Sequence, residues 1–133
     1  MKLHKYLTPS GEFDYRQYVG VQEAGNLRKL ESVWANEEVI SRLSAFLVAN
    51  CVNLRFGLCH GTRRGLEQKW FAEKTGAAFL GTEISSSAIE FPNTIQWDFH
   101  EVKPEWIGAV DAISSNSWDH AYEPKKCFRA WMK

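Results

Sequence analysis

Four polar segments hold the residues best suited to chemistry: CHGTRRG at 59–65, TEISSS at 82–87, WDFH at 97–100 and SNSWDH at 115–120. Each follows a short apolar run. Gly57, Gly61 and Gly65 recur every four residues around the first, and glycine lets backbone approach a ligand with no side chain between them. Glu83 lies 22 residues beyond Gly61 (83 − 61). In nucleotide-binding α/β domains an acid about 20 residues after the glycine bend accepts from ribose hydroxyls. A carboxylate has acceptors enough for a vicinal diol, which offers two donors side by side. Asp98 is placed to accept from an exocyclic amine such as that of adenine, and Phe99 to pack on the face of the ring.

The last segment offers proton-transfer groups. Asp119 and His120 are candidates for a general base, with His100 as a second histidine. Ser115, Asn116 and Ser117 either line a site through hydrogen bonds or form a polar loop with a helix cap. Cys59, His60, His100 and His120 lack HxxxH or CxxC spacing, so no metal is expected. The cysteines, Cys51, Cys59 and Cys127, are odd in number and suggest free thiols in a reducing cytoplasm rather than a disulfide framework.

Positioning these segments requires strands that end where the polar residues begin. LRFGLC (54–59), AAFLGTE (77–83), NTIQWDF (93–99) and GAVDAISSN (108–116) read as strands. Residues 64–75 read as a helix with Leu66, Trp70 and Phe71 facing inward, ended by Gly76. A short helix is expected at 85–90 and a last one over 119–132, interrupted by Pro124. Strands alternating with helices argue for an open, mainly parallel α/β sheet. Upstream, Leu27, Leu30 and Trp34 share one face of a helix over 21–34, which Gly25 weakens. Asn36 is a candidate N-cap for a second helix, with Glu37 and Glu38 in its first turn and Val39, Leu43, Phe46 and Leu47 as its core stripe. The aromatics Tyr6, Phe13, Tyr15 and Tyr18 are expected to pack on the domain, after a turn in TPSGEFD.

The chain of 133 residues suggests one domain, with a helical region at 1–50 and an α/β core at 51–133. Sixteen basic residues balance sixteen acidic ones, which gives no electrostatic footprint for nucleic acid or membrane surfaces. No stretch approaches the roughly 20 apolar residues that span a bilayer.

From about residue 54 onward the chain resembles the front half of a class I, Rossmann-like S-adenosylmethionine-dependent methyltransferase. FGLCHGTRRG matches the glycine motif, GTEIS the acidic end of strand 2, NTIQWDFHE strand 3 and DAISSNSWDHAYEPKKCFRAW strand 4 with its helix. GTEIS, FPNTIQWDFHE and SNSWDH are particularly like small methyltransferases of uncharacterised or viral type. The resemblance implies S-adenosylmethionine as cofactor, held by Cys59, His60, Gly61, Thr62, Arg63, Glu83, Ile84, Asp98, Phe99, Ser115 and Asn116. It implies methyl transfer to an unidentified acceptor, with Asp119 and His120 on the acceptor side. The alternatives are a binding module without turnover, or a fragment that needs a partner chain. A NAD-type domain would carry GxGxxG, which is absent.

The sequence departs from the family pattern in two ways. Gly57 stands where an acid that helps anchor the methionine end usually is, Cys59 replaces the first glycine and Arg63 the third. Arg63 and Arg64 are candidates to pair with the cofactor carboxylate instead. The family sheet has seven strands and this chain supplies four. The expected order 3-2-1-4 therefore leaves strand 4 with a free edge, open to self-association.

Overall fold

The computed structural model describes residues 4–133. Four parallel strands, β1 (Phe56–His60), β2 (Ala78–Glu83), β3 (Thr94–Gln96) and β4 (Ala112–Ser115), form one sheet in the order β3-β2-β1-β4. Four helices flank it: α1 (Tyr15–Arg28), α2 (Glu37–Asn50), α3 (Leu66–Thr75) and α4 (Pro124–Trp131). This is the expected Rossmann-like open α/β sheet. The register pairs Cys59 with Gly81 and with Ser114, so the strands reach their C-terminal ends together.

The core on one sheet face explains the glycine early in β1. Phe79 lies opposite Gly57 in the register. A Cβ on Gly57 would sit 2.2 Å from the Phe79 ring. That ring stacks on Phe71 of α3 at 5.0 Å between centroids. Ile40, Cys59 and Ala77 complete the buried cluster. An acid cannot occupy position 57 because core aromatic carbon already fills its space.

Helix α2 begins as expected: the Asn36 carboxamide accepts from the Val39 amide at 3.0 Å. Its buried face is different. Ile40 and Ser44 are buried and Leu47 packs on the core, whereas Val39, Leu43 and Phe46 are exposed. The two stripes differ by one residue, about 100° around a helix. Apolar residues occur on both, and Ser44 at the centre of the true core face disguised it.

Helix α1 covers 15–28 rather than 21–34. The Asp14 side chain caps it by accepting from the Gln17 amide at 3.0 Å, so it starts earlier. Leu27 is exposed, and Trp34 is exposed and outside the helix. Upstream, Leu7 and Phe13 form an isolated antiparallel bridge around the Thr8–Gly11 turn. Tyr6, Phe13, Tyr15 and Tyr18 gather with Tyr122 and His100 into one aromatic group, the expected packing.

β3 and β4 are shorter than expected, and the acids flanking them explain part of this. Asp111 leaves the strand path to accept from the Arg55 and Phe56 amides through its carboxylate. Asp98 turns back on the His100 amide at 2.9 Å. The short helix expected at 85–90 is a 3₁₀ turn at Ser86–Glu90. The last expected helix is divided into a 3₁₀ turn at Trp118–His120 and α4. Pro124 does not interrupt α4 but begins it, at the position where a missing N–H costs nothing. α3 begins at Leu66 because Gly65 is left-handed, with φ 74°.

Candidate functional site

A cleft of about 750 Å³ opens at the C-terminal ends of the strands, within the range of small-molecule sites. Its floor carries Gly61 and Arg63 after β1, Glu83 and Ile84 at the end of β2, Asp98 and Phe99 after β3, and Asn116 after β4. Its roof is α1, which contributes Tyr18, Gln22 and Asn26. Open parallel sheets place ligands at this end.

The bend after β1 is built from backbone. The Gly61 and Thr62 amides both donate to the Thr82 carbonyl, at 2.8 and 3.1 Å, tying the bend to β2. Gly61 has φ 72°, and a Cβ there would meet the Ser117 side chain at 2.6 Å. The Ser117 hydroxyl donates to the Gly61 carbonyl at 3.0 Å. Gly61 is therefore required both by its conformation and by the close approach of the β4 loop. Arg63 is also left-handed, with φ 54°, and presents its amide to Glu83 Oε2 at 3.0 Å.

Glu83 is the centre of the site. It is 3% exposed. Its Oε1 accepts from the Asn26 side-chain amide at 2.7 Å and the Ser85 amide at 3.2 Å. Burial raises its pKa, while the amides of Ser85 and Arg63 pull the other way. A carboxylate has about four acceptor positions, and three are taken from within the protein. Asn26 spends both amide hydrogens, on Glu83 and on Ser85 Oγ at 3.1 Å, so its amide oxygen is a further acceptor beside the carboxylate. Together they suit the two hydroxyls of a diol.

Asp98 lines the cleft but is more committed than the sequence suggested. Its Oδ1 accepts from the His100 amide and lies 2.6 Å from His100 Nδ1; Oδ2 accepts from the Tyr15 hydroxyl at 2.8 Å. Burial alone would raise its pKa, but the bonds from His100 and Tyr15 outweigh it and hold it low. The His100 side chain is fully buried, stacked on Tyr122 at 3.7 Å, and its Nε2 accepts from the Glu123 amide at 3.4 Å. With both ring nitrogens engaged, His100 positions Asp98 and is not a free base.

Several expected site residues lie elsewhere. The Cys59 thiol is in the core on the far side of β1's backbone, and burial raises its pKa. His60 is buried beside Trp131, stacked at 5.1 Å, with Nδ1 2.7 Å from the Thr82 hydroxyl. Burial lowers its pKa to about 4. Ser115 Oγ donates to the His60 carbonyl, fixing β4 to β1. Thr62 faces a smaller pocket beside the cleft. Asp119 and His120 do line the cleft, at its exposed rim. The two arginines are drawn away: Arg63 Nη1 donates to the Lys29 and Ser32 carbonyls, and Arg64 pairs with Glu31 at 3.1 Å. Arg63 thus holds the end of α1 to the bend.

Sequence reasoning missed Asn26, Gln22 and Trp97 as cleft residues. Reading the first helix six residues late put Asn26 near its start, with no reason to face the strand ends. No group of three or more metal-ligating side chains occurs among the described residues. Nor is any helix among them long and apolar enough to cross a membrane. The fold and cleft define an open α/β domain with a polar site at the strand ends. No protein-family model matches the chain, and no curated protein or solved structure matches it.

Proposed function

We propose that the chain is a methyltransferase using S-adenosylmethionine. The observation that carries this reading is Glu83, buried at the end of β2 beside the glycine bend, whose remaining acceptor position lies beside the Asn26 amide oxygen and pairs with it to suit a ribose diol. The cleft volume is adequate, and Phe99, Trp97 and Ile84 supply apolar surface for a base. When bound, the cofactor supplies a methyl group already activated by its sulfonium charge.

The protein then has to orient the acceptor, exclude water and take up a proton. Orientation can lower such a barrier by ~7–11 kcal/mol. Helix α1, which lines one side of the cleft, would shield a bound ligand from water on that side. Asp119 and His120, which line the rim of the cleft, would take up the acceptor's proton. Incubation with methyl-labelled S-adenosylmethionine and a pool of cell extract acceptors tests the reading. Label in macromolecular or small-molecule acceptors supports it, and label retained in the cofactor despite tight binding contradicts turnover.

A second reading, cofactor binding without turnover, is favoured by one observation. Among the described residues the one histidine lining the cleft, His120, is exposed at its rim, and the buried His100 has both nitrogens engaged. The free outer edge of β4 supports a further part of the proposal, self-association through that strand.

A further inference from the structure

A second cavity, of about 210 Å³, shares no lining residue with the cleft. Leu58 and His60 alternate along β1 with Gly57 and Cys59, so they face away from the α2–α3 core, and Ile113 lies beside Leu58 in the register with β4. These three form its floor. Trp106, from the 3₁₀ turn at Pro104–Trp106, and Ala130 and Trp131, from α4, form its walls. Apolar cavities of about 150 Å³ admit a benzene ring. This one therefore has room for one six-membered ring with a small substituent. The charged residues that line it, Glu101 and Lys133, are exposed, and Glu101 is paired with Lys126.

One buried polar group at this cavity is left open. His60 is 2% exposed, and its Nδ1 lies 2.7 Å from the Thr82 hydroxyl. Its Nε2 has no hydrogen-bond partner among the described residues. The Trp131 indole N–H, by contrast, is committed to the Phe99 carbonyl at 2.8 Å. A buried nitrogen without a partner is costly, and asks for a ligand. Burial lowers the His60 pKa to about 4, so the ring is uncharged at neutral pH and offers no counter-ion to an anion. A neutral imidazole that accepts at one nitrogen donates at the other. Whichever way the Thr82 hydroxyl bonds Nδ1, a ligand hydroxyl, which both donates and accepts, complements Nε2. The imidazole stacks on Trp131 at 5.1 Å and lies 6.3 Å from Trp106, so the surroundings of that nitrogen are aromatic and suit a further ring.

We propose that this cavity is a binding site, separate from the cleft, for a small uncharged aromatic ring carrying one hydroxyl, with the ring among Trp106, Trp131 and Ile113 and the hydroxyl on His60 Nε2. The inference does not rest on the cofactor reading.

The test titrates phenol and, separately, toluene into the full chain with its nitrogens isotope-labelled, following the indole N–H resonances. Phenol is expected to bind saturably, shifting Trp106 and Trp131 while leaving Trp34, which lines the cleft, in place. A wholly apolar cavity would reject phenol in favour of toluene, because the hydroxyl would be buried without a partner. With His60 Nε2 as that partner, the two are expected to bind within about ten-fold of each other. Ala130→Leu, which fills the cavity, is expected to weaken both by about ten-fold or more. No saturable shift of Trp106 or Trp131, a shift of Trp34 in their place, or undiminished binding by the folded variant overturns the proposal. Toluene binding with phenol rejected overturns the assignment of His60 and of the hydroxyl. The wild-type resonances locate the site even where the variant fails to fold.

Discussion

Helices α1 and α2 are both 14 residues long, yet they are held in opposite ways. α2 lies on the core through Ile40 and Leu47, against Cys59, Phe71 and Phe79. α1 has only Tyr18 buried. It is tied down by polar bonds: Asn26 to Glu83 and Ser85, Glu23 to Ser86, Tyr15 to Asp98, and Arg63 to the carbonyls at its end. Apolar contact is non-directional and strong in sum, whereas the bonds on α1 are few, and those exposed to water, from Tyr15, Glu23 and Arg63, contribute little each. α2 is thus part of the domain's stability, and α1 a roof whose attachments are also the cleft's functional groups. A ligand that competes for Glu83 and Asp98 competes directly with the bonds holding that roof.

The largest effect that sharpens this contrast belongs to the α2–α3 side. Phe71→Ala should cost about 3–5 kcal/mol of stability in chemical denaturation, through lost burial and the cavity left under Phe79. Asn26→Ala, on the α1 side, should cost less, about 1.5–3 kcal/mol of stability, because it removes a bond to a buried carboxylate. It should nevertheless weaken S-adenosylmethionine binding by about ten-fold, one lost ~1.4 kcal/mol interaction. If Asn26→Ala destabilises as much as Phe71→Ala, the contrast fails.

Arg63→Ala should leave global stability nearly intact and raise amide hydrogen exchange in the last turn of α1, where its guanidinium meets the Lys29 and Ser32 carbonyls. Exchange unchanged in residues 25–29 would show that α1 is held by something else.

The smallest effect concerns pH. Burial raises the Glu67 pKa from 4.5 to about 7. The folded state then holds more protons than the unfolded one across that window, so this contribution is fully present below pH 4.5 and is lost as pH rises toward 7. His60 acts oppositely: its folded pKa of about 4 lies below the ordinary 6.5, so stability is lost as pH falls between them. Glu67→Gln should remove the first slope and leave the second, a difference of about 1 kcal/mol after allowance for the partial exposure of Glu67. Melting temperatures from pH 4 to 8 for both proteins check it.

The strands and their polar ends were legible in the sequence because each strand is a short apolar run closed by polar residues, as in FGLCHG and AAFLGTE, whereas the order 3-2-1-4 was implied only by the family resemblance. The end of α3 was legible because Gly76 punctuates it, whereas its start falls at Leu66, inside the expected 64–75, because Gly65 is left-handed. Less legible was anything set by distant packing. Nothing in EEVISRLSAFLV says that Ser44 is buried and Phe46 exposed, because both faces of that helix carry apolar residues. The role of Asn26 depends on α1 crossing 57 residues of chain to reach Glu83. His100 read as a free base because only the fold brings Tyr122 and Glu123 against it. Arg63 read as a ligand partner because the α1 carbonyls that occupy it are not a sequence pattern.

The measurement that tests the central claim most directly is calorimetric titration of the wild type and Glu83→Ala with S-adenosylmethionine, both shown folded by circular dichroism. The account predicts saturable binding by the wild type, weakened by about ten- to hundred-fold in the variant, the scale of one charge-assisted bond. A wild type that binds nothing at millimolar ligand, or a variant that binds equally well, would contradict it.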